Sequence, residues 1–426
     1  MLAVLSMLRF EDALARILAL GSPLGSPLGS PLGSPELASE SVELEEAEGR
    51  TLAEDVVAPG DLPAFDYSAM DGYAVCTRDL EGAEPYRLPV VGESKTGEVA
   101  PPLASHTVMR IFTGAPLPEG ADAIVMQENV VREGDMAILG TRPRAGQHVR
   151  ARGADLAAGA VAIPRGTRLR PGHLALAAAV DRSVLTVTTK PVVAILATGD
   201  ELRRPGSEAV PGTIPESNTV ALRSMARRAG ATCRVLPYVR DDKGAHERAF
   251  ASALEDADVL VTIGGVSVGD HDLVRPALEA VGVTLEFWRV AIKPGKPLAI
   301  GRFARPGRRD AIVFGLPGNP ASAIVTFALF GIPLLRALQG DARPFPPFVR
   351  ARMTRAHAHD PGRLELARAT LGHGPRGLMV TTFGNQASGA VTSMAQAEAL
   401  AFIPEDVTGV AAGEEVDVVL LSDLCD

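Results

Sequence analysis

The chain is 426 residues long, 46% of its residues are hydrophobic, and its net charge at pH 7 is −9. This length predicts about two to four domains with sizeable cores. The acidic balance excludes a general nucleic-acid surface, because such a surface needs a broad basic face. Cys76, Cys233 and Cys425 lie too far apart for a zinc knuckle or a redox pair, and an odd number does not suit a disulfide framework. We therefore expect a reducing, cytoplasmic setting.

The first predicted element is an amphipathic helix that packs on a neighbouring element. Arg9, Glu11 and Asp12 interrupt its apolar run in an order that does not fit a signal peptide. Residues 21–35 then repeat the tetrapeptide GSPL, and these prolines and glycines predict a linker to which we assign no function. The apolar positions at helical spacing are Phe10, Ala13, Leu14, Ile17 and Leu18.

Two regions of the chain predict mainly β structure. Residues 86–140 alternate apolar runs with Gly and Pro, which is typical of a small β region. A helix over about 172–180 and a strand over 184–188 follow it. Beyond about residue 343, five short β runs predict a small barrel or sandwich. These runs are 349–353, 363–371, 379–383, 399–403 and 415–421.

Between these regions, β-branched runs alternate with helical stretches from about residue 191 to 338. This alternation predicts a doubly wound, mostly parallel sheet, whose ligands bind beyond the carboxyl ends of the strands. The predicted strands are 192–197, 233–239, 259–263 and 312–314. The predicted helices are about 219–229 and 245–254, with two more starting near 273 and 321.

Polar motifs follow each of these strands, so we expect them to meet in one crevice. The loop from Gly264 to Gly269 can offer backbone N–H groups to a phosphate. It lacks both the Walker pattern and the dinucleotide glycine spacing. Carboxylates near the strand ends could hold Mg²⁺ together with substrate phosphates; alternatively, several are helix caps or turn residues. They are Glu201, Asp241, Asp242, Asp270 and Asp272.

Two of the five lysines in the chain, Lys293 and Lys296, flank a Pro-Gly turn. Lysine is a compact point charge suited to phosphate or oxyanion oxygens. In isolation, such a segment is better explained as a solvated turn. The motifs around it favour a phosphorylated or oxyanionic ligand.

Six motifs in register resemble one known family. They are Asp66-Tyr-Ser-Ala-Met-Asp71-Gly-Tyr, the segment 112–128 beginning Phe112-Thr113-Gly, Thr198-Gly-Asp-Glu201-Leu, Gly264-Gly-Val-Ser267-Val-Gly269-Asp, Ala291-Ile-Lys293-Pro-Gly-Lys296-Pro and Gly315-Leu-Pro317-Gly-Asn319-Pro. Together they resemble molybdopterin molybdenumtransferases of the bacterial MoeA type, which are related to the E domain of gephyrin. The resemblance runs from about residue 7 to the C-terminus.

This resemblance implies the last step of molybdenum cofactor synthesis. Adenylylated molybdopterin and molybdate are joined with the help of Mg²⁺, and AMP leaves. It further implies a cytoplasmic homodimer, with a cleft between the doubly wound domain of one subunit and the small β domain of the other. A separate molybdopterin adenylyltransferase would donate the substrate, and molybdoenzyme maturation factors are further partners. We expect neither nucleic acid nor membrane as a partner.

The resemblance also assigns roles to individual positions. The expected catalytic residues are Asp71, Thr113, Glu201, Asp272 and Lys293, and the expected metal ligands are Glu201, Asp241 and Asp272. The expected substrate-binding residues are Asp155, Asp241, Asp242, Gly264, Gly265, Ser267, Gly269, Arg289, Lys296, Pro317, Asn319, Pro320 and Ser388.

Two departures from the family pattern stand out. Arg289 lies where close members often carry lysine, so a planar fork replaces a point charge. The GSPL repeat of residues 21–35 replaces an ordinary linking segment. Outside the family motifs, His357 and His359 suggest a metal cluster, but without further ligands nearby we interpret them as a surface pair.

The expected architecture is therefore multidomain α/β. Residues 1–60 with 141–188 form an elongated linking domain, and residues 61–140 form an inserted small β domain. Residues 189–338 form the doubly wound domain, and residues 339–426 a C-terminal β-barrel. Two other functions stay open: the preceding adenylyltransferase step, and a scaffold without enzymatic activity.

Overall fold

The structure is a computed structural model that describes residues 7–21, 37–240, 242–265 and 273–425. We refer to the linking unit (37–60 and 141–188), the small β unit (61–140), the sheet unit (189–338) and the barrel unit (339–425). These bounds follow the sequence-based division, which remains a prediction. The α-helices are Phe10–Gly21, Pro171–Ala179, Asn218–Arg228, Lys243–Leu254, Val274–Ala280, Pro320–Thr326, Ile332–Leu338, Val391–Gln396 and Leu421–Cys425.

The sheet unit is built on six strands, of which four pair in parallel with one another and two are added at one edge through antiparallel pairings. The two antiparallel strands, Thr284–Arg289 and Pro297–Phe303, were not predicted, because the lysine segment between them was considered only as a turn. The strand predicted over 233–239 ends at Val235. The spatial order is Thr232–Val235, Val192–Ala197, Val259–Ile263, Ala311–Leu316, Pro297–Phe303 and Thr284–Arg289.

Side chains of the parallel strands alternate between two hydrophobic cores, one on each face of the sheet. Val193 and Ile195 pack in the core that includes the helix Asn218–Arg228. Ala194 and Leu196 pack in the core that includes the helix Lys243–Leu254. Such two-sided cover defines a doubly wound sheet and confirms the predicted fold class.

The strand Val192–Ala197 lies between Thr232–Val235 and Val259–Ile263, the next two strands of this sheet along the chain. The chain therefore winds first to one side of this strand and then to the other. Ligands bind in open α/β sheets at such a switch point, outside the carboxyl ends of the strands. The fold thus places the expected crevice after Ala197 and Ile263.

Among the described residues, one helical stretch, Pro320–Leu338, is long and apolar enough to cross a bilayer. Its most apolar 18 residues are 94% buried inside the protein, so it is a core helix of the sheet unit. The N-terminal helix packs on it: the Phe10 ring centroid lies 5.3 Å from that of Phe330. The predicted amphipathic helix and its packing on a neighbour are confirmed.

The barrel unit contains five strands that pair in a closed ring, which leaves no free edge within the ring. In ring order the strands are Leu364–Gly374, Gly377–Thr382, Val349–Met353, Glu415–Leu420 and Ala399–Ile403. The barrel is the predicted one. The short strand Ile292–Lys293 of the sheet unit pairs in parallel with Leu364–Glu365 and joins the two units.

The small β unit has its own six-stranded sheet, and the linking unit holds a smaller core. In the linking unit, Ser39–Glu43 pairs with Val184–Thr188, and the helix Pro171–Ala179 packs nearby. The strands of the small β unit, in spatial order, are Ala123–Met126, Gly72–Val75, Val108–Ile111, Tyr86–Ser94, Met136–Leu139 and Val130–Glu133.

Candidate active site

Glycines bring the chain together at the switch point of the sheet. Gly264 and Gly265 have φ values of +91° and +63°, a region that favours glycine. A Cβ on Gly264 would lie 2.7 Å from the Thr198 carbonyl oxygen, and one on Gly318 would lie 3.6 Å from the Gly264 Cα. The ends of three neighbouring strands therefore approach closely here, as the sequence predicts.

Glu201 lies beside these glycines with an exposed side chain. Its carboxylate folds back over Gly199, where a Cβ would overlap the carboxylate oxygens. The Thr198 hydroxyl donates a hydrogen bond of 3.3 Å to the Ile263 carbonyl and anchors the same turn. One acidic side chain is therefore available at the end of the strand Val192–Ala197.

The helix Asn218–Arg228 begins at the same edge of the sheet. The Asn218 side-chain amide donates to the Gly318 carbonyl at 2.8 Å, which ties this helix to the turn that contains Asn319. Asp242 begins the next helix, and its carboxylate accepts a hydrogen bond of 2.7 Å from the backbone N–H of Ala245. Asp242 is thus a helix N-cap, the structural role that the sequence left open for several of these carboxylates.

The lysine turn connects the two antiparallel strands of the sheet unit. Lys296 is exposed and Lys293 partly buried. Gly295 has a φ of +109°, and a Cβ there would overlap the Thr326 hydroxyl, so only glycine lets the turn pack on the core helix. Arg289 lies opposite Pro297 in the paired strands, at the base of the turn. The segment therefore gathers three cations.

Lys293 contacts a buried glutamate that sequence reasoning missed. Its Nζ lies 3.5 Å from Oε1 of Glu365, whose side chain is 4% exposed. The other carboxylate oxygen lies 2.7 Å from His359 Nδ1 and 3.4 Å from His357 Nε2. The histidine side chains are only 10% (His357) and 0% (His359) exposed, so their interpretation as a surface pair was wrong. Both histidines point inward to the carboxylate of Glu365.

Burial of Glu365 opposes its ionisation, but three neighbours outweigh that effect. The interactions of His357 and His359 with its carboxylate, together with the charge of Lys293, lower the pKa of Glu365 to about 2. Glu365 is therefore ionised in the folded protein at neutral pH. Glu365 contacts Lys293 because the two residues are in register in paired strands. Strand pairing across two units is not visible in one sequence, so no sequence signal marked Glu365.

A loop of the barrel unit reaches the start of the core helix. The Ala321 N–H donates to the Ser388 carbonyl at 3.0 Å, so Ser388 lies beside Asn319 and Pro320. Arg368, which is fully buried, holds this loop by donating to the Asn385 and Ala387 carbonyls at 3.3 and 3.1 Å.

Burial lowers the pKa of Arg368, although nearby Glu365 opposes that shift. Sequence reasoning missed this residue as well, because no motif marks it. Arg368 and Lys293 therefore both bring positive charge near Glu365, one from the barrel unit and one from the lysine turn.

Asp71 and Thr113 form a second group, in the small β unit. Asp71 Oδ1 accepts hydrogen bonds from the Thr113 backbone N–H at 2.7 Å and from its hydroxyl at 2.8 Å. These hydrogen bonds, the backbone one first, lower the pKa of Asp71, with a smaller contribution from the charge of Arg110. The structure thus brings together two expected catalytic residues that lie far apart in the sequence.

The turn that contains Asp155 lies next to this motif. The Arg152 backbone N–H donates to Asp66 Oδ1 at 2.6 Å, and its guanidinium pairs with Asp61 at 2.6 Å. The Asp155 N–H bonds to the Leu62 carbonyl at 3.0 Å, while its side chain is exposed. Asp61 and Asp66 are therefore structural partners that leave the Asp155 carboxylate free for solvent or ligand.

The expected site residues fall into two clusters. One joins the strand ends, lysine turn and barrel loop. The other holds Asp71, Thr113 and Asp155. Among the described residues, no hydrogen bond or ion pair links the small β unit to the sheet or barrel units. Four expected residues, Asp241, Ser267, Gly269 and Asp272, lie outside the described residues.

Three family models match the chain and together cover most of its length. The model of the MoeA N-terminal region (domain I and II) matches residues 8–180, and the model of a probable molybdopterin binding domain matches residues 194–337. The model of the MoeA C-terminal region (domain IV) matches residues 350–421. The central match contains the glycine turns and the lysine turn.

Curated relatives and solved structures agree with these matches. Molybdopterin molybdenumtransferase 2 of Mycobacterium tuberculosis is 37% identical over 390 residues, which are 89% of this chain and 94% of the relative. The Haemophilus influenzae molybdopterin molybdenumtransferase is 35% identical over 384 residues, 89% of this chain and 93% of the relative. The crystal structure of the molybdopterin biosynthesis moeA protein from Pyrococcus horikoshii OT3 matches with a TM-score of 0.81 and 28% identity, covering 97% of this chain and 100% of that one.

The fold and the site thus define a multidomain protein of molybdenum cofactor biosynthesis. The chain belongs to the MoeA family. The family resemblance found in the sequence motifs is therefore confirmed over nearly the whole chain.

Proposed function

We propose that this chain catalyses the molybdenum insertion step, in which molybdate and adenylyl-molybdopterin give the molybdenum cofactor and AMP. The observation that carries the proposal is the match to molybdopterin molybdenumtransferases over 89% of the chain, including the region that holds Asp71 and Thr113. An adenylyltransferase built on the sheet unit alone would not need that region. The full-length match therefore favours the transferase over the adenylyltransferase alternative.

The sheet and barrel units would supply the anion-binding groups. Lys293, Lys296 and Arg289 lie on one turn and its base, and they would hold molybdate and phosphate oxygens. The backbone at Gly264 and Gly265 would approach the substrate closely, and Ser267 and Gly269 are further proposed substrate contacts. The remaining wall of the pocket would consist of Pro317, Asn319, Pro320 and Ser388.

The carboxylates at the strand ends suit a magnesium ion that arrives with the substrate. Mg²⁺ usually takes one or two carboxylates and completes its shell with water and substrate phosphates. Glu201 fits this requirement with its exposed carboxylate, and Asp241 and Asp272 are its proposed partners. Among the described residues, no group of three or more metal-ligating side chains stands ready by itself. Mg²⁺ bound there would offset the charge of the phosphoanhydride.

Asp71 would act as a preorganised anion, with Thr113 as its positioning partner. The Thr113 hydroxyl donates to Asp71 and keeps the carboxylate ionised, so Thr113 orients and does not react. Asp155 would contribute a further polar contact from the neighbouring turn. Asp71 and Lys293 belong to different units, and we propose that they face each other across a homodimer, each cleft using both subunits.

AMP release from purified adenylyl-molybdopterin, with Mg²⁺ and with or without molybdate, tests the function. The wild-type chain should release AMP faster with molybdate, and Lys293→Ala or Asp71→Asn should lower that rate by roughly 10²- to 10³-fold, as for loss of one charge-stabilising group. Asp417→Asn, which changes an exposed ion pair of the barrel unit, serves as the control. Turnover of ATP and molybdopterin without molybdate-stimulated AMP release would instead identify an adenylyltransferase.

The shared cleft has its own test. Asp71→Asn and Lys293→Ala chains are each inactive in a homodimer, but a mixed dimer would rebuild one intact cleft. Random mixing should then restore about a quarter of wild-type activity, because half of the dimers are mixed and each has one good cleft. No recovery on mixing would place both residues in the same subunit.

Two further assignments complete the proposal. The chain works in the cytoplasm and receives its substrate from a separate molybdopterin adenylyltransferase. Molybdoenzyme maturation factors would accept the product. A scaffold role without catalysis is the remaining alternative, and capture of a stoichiometric protein client independent of molybdate would support it.

A further inference from the structure

Glu365 lies at the junction of the sheet and barrel units, at the centre of a cluster of opposite charges. In the parallel pairing of the two units, Glu365 is directly in register with Lys293. Its carboxylate also hydrogen-bonds with His359 and contacts His357, and Arg368 is close enough to interact with it electrostatically. These are the titratable and charged groups that face Glu365 from each neighbouring element.

The cluster distributes its contacts unequally between the two carboxylate oxygens. Oε2 is taken by the two histidines, whereas Oε1 faces the ammonium group of Lys293. His357 is held in turn, since its Nδ1 lies 3.1 Å from the Thr382 hydroxyl. The histidines thus fix the carboxylate plane, and Oε1 is left pointing at the lysine.

Lys293 differs from Lys296 in this respect. The Lys293 side chain is 36% exposed and has a buried ion-pair partner, while Lys296, three residues away, is exposed and has no ion pair among the described residues. A flexible lysine loses rotamer entropy when it binds an anion, and prior restraint of the side chain lowers that loss. One of the two lysines is therefore held before any ligand arrives.

We infer that Glu365 is a positioning residue that sets the Lys293 ammonium group in place for the molybdate oxyanion, acting across the boundary between the sheet and barrel units. This inference rests on the proposed function. His357 and His359 orient Glu365, and Glu365 orients Lys293. The barrel unit thereby contributes to anion binding without touching the anion at this point.

A double-mutant cycle for the molybdate KM in the AMP-release assay tests the inference. Glu365→Gln removes the charge and keeps the shape, and it should raise the molybdate KM about tenfold while kcat changes little. In the Lys293→Ala background, Glu365→Gln should change the molybdate KM by no more than about twofold, because the side chain through which Glu365 acts is absent. Glu365→Asp should restore part of the loss, and Asp258→Asn, which alters the Arg305 ion pair elsewhere in the sheet unit, should leave the KM unchanged.

A second readout needs no catalysis. The rate at which an amine-reactive ester labels Lys293, measured by mass spectrometry of the full chain, should rise several-fold in Glu365→Gln. Labelling of Lys296 is the internal control and should stay constant. An equal KM change in both backgrounds, or unchanged labelling of Lys293, would overturn the inference.

The two failures are distinguishable. Absence of molybdate-stimulated AMP release in the wild-type chain would remove the proposed function, whereas the labelling experiment would still decide whether Glu365 restrains Lys293. If the wild type is active and Lys293→Ala is impaired, but the molybdate KM shows no coupling between Lys293 and Glu365, the proposed function stands. Only the positioning role of Glu365 would then be lost.

Discussion

Asp71 in the small β unit and Glu365 in the barrel unit are both carboxylates with lowered pKa values, but they reach that state differently. Asp71 is partly exposed, and both of its hydrogen-bond donors come from one residue of its own unit. Glu365 is buried, and its partners come from two units. A locally made site can change its chemistry without changing the fold, whereas a site shared by two units couples binding to stability.

The largest effect on this comparison is expected from a substitution at Gly72, the residue that follows Asp71. A Cβ on Gly72 would overlap the Val125 carbonyl of the neighbouring strand, so Gly72→Ala should destabilise the small β unit by roughly 3 kcal/mol or more. Hydrogen exchange should report this loss in the strand Gly72–Val75 and its neighbours. Exchange in the strand Val259–Ile263 of the sheet unit should stay slow.

Gly140→Ala is the matched control in the same unit, because nothing lies within 4 Å of a Cβ there. It should leave exchange unchanged. If Gly72→Ala were equally harmless, the Asp71 loop would not depend on the sheet beneath it, and the view of Asp71 as a group ordered by its own unit would need revision.

The next largest effect is the loss of the stability that ionised Glu365 contributes as the pH falls. Its folded pKa of about 2 lies below the ordinary value of 4.5, so its ionisation contributes on the order of 3 kcal/mol to the free energy of unfolding. Because the folded pKa is the lower one, this stability is present above pH 4.5 and is lost as the pH falls towards 2. Glu365→Gln should therefore be less stable than wild type at pH 7, and the difference should shrink between pH 4.5 and 2.

Urea unfolding at several pH values measures this difference. Asp417→Asn removes an exposed ion pair with Arg350 and should change the free energy of unfolding by about 1 kcal/mol at most. A Glu365→Gln deficit that stayed constant with pH would mean that shape, and not charge, explains the contribution of Glu365.

These stability effects show where the sequence was informative. The parallel strands Val192–Ala197 and Val259–Ile263 were predictable because β-branched runs bounded by glycine mark buried strands. The position of the glycine turns was also predictable, because the carboxyl ends of parallel strands lie along the same edge of the sheet. Asp71 and Thr113 were assigned by family resemblance, and the structure places them in direct contact.

The missed features depend on long-range pairing. Glu365 meets Lys293 only because a two-residue strand of the sheet unit docks on the barrel, and the buried state of His357 and His359 follows from the same docking. Arg368 is likewise held by carbonyls of a loop, which leave no pattern in side-chain spacing. Local periodicity contains no information about which distant strand becomes a neighbour.

A smaller effect is expected from the Thr113 hydroxyl. Thr113→Val keeps the backbone donor to Asp71 but removes the hydroxyl donor, so the pKa of Asp71 should rise towards its ordinary value. AMP release should fall by roughly fivefold to tenfold, because the ionised carboxylate keeps only one of its two hydrogen-bond donors. The acidic limb of the pH–rate profile should move to higher pH.

Thr107→Val, which removes a hydroxyl that bonds only to the Ala104 carbonyl, is the matched control and should leave the profile unchanged. Thr113→Ser should retain most of the activity. A Thr113→Ser variant as impaired as Thr113→Val would show that the methyl group, and not the hydroxyl, is what the site needs.

The smallest effect separates a helix cap from a ligand at Asp242. Asn is as good an N-cap as Asp, whereas Ala is not, so Asp242→Ala should lower the free energy of unfolding by about 1 kcal/mol and Asp242→Asn should not. Thermal unfolding measures both variants. AMP release by Asp242→Asn should stay within about twofold of wild type. A larger loss would assign the Asp242 carboxylate to the substrate or its magnesium ion.

The helix Phe10–Gly21 has a consequence for how the protein is made. Its Phe10 shares one hydrophobic core with Leu421 and Leu424 from the far end of the chain. During synthesis, the early helix must therefore wait for the last helix before the core of the sheet unit can close. We expect the sheet unit to mature only after the helix Leu421–Cys425 has been translated, while the small β unit, whose strands are contiguous in sequence, can fold on the ribosome.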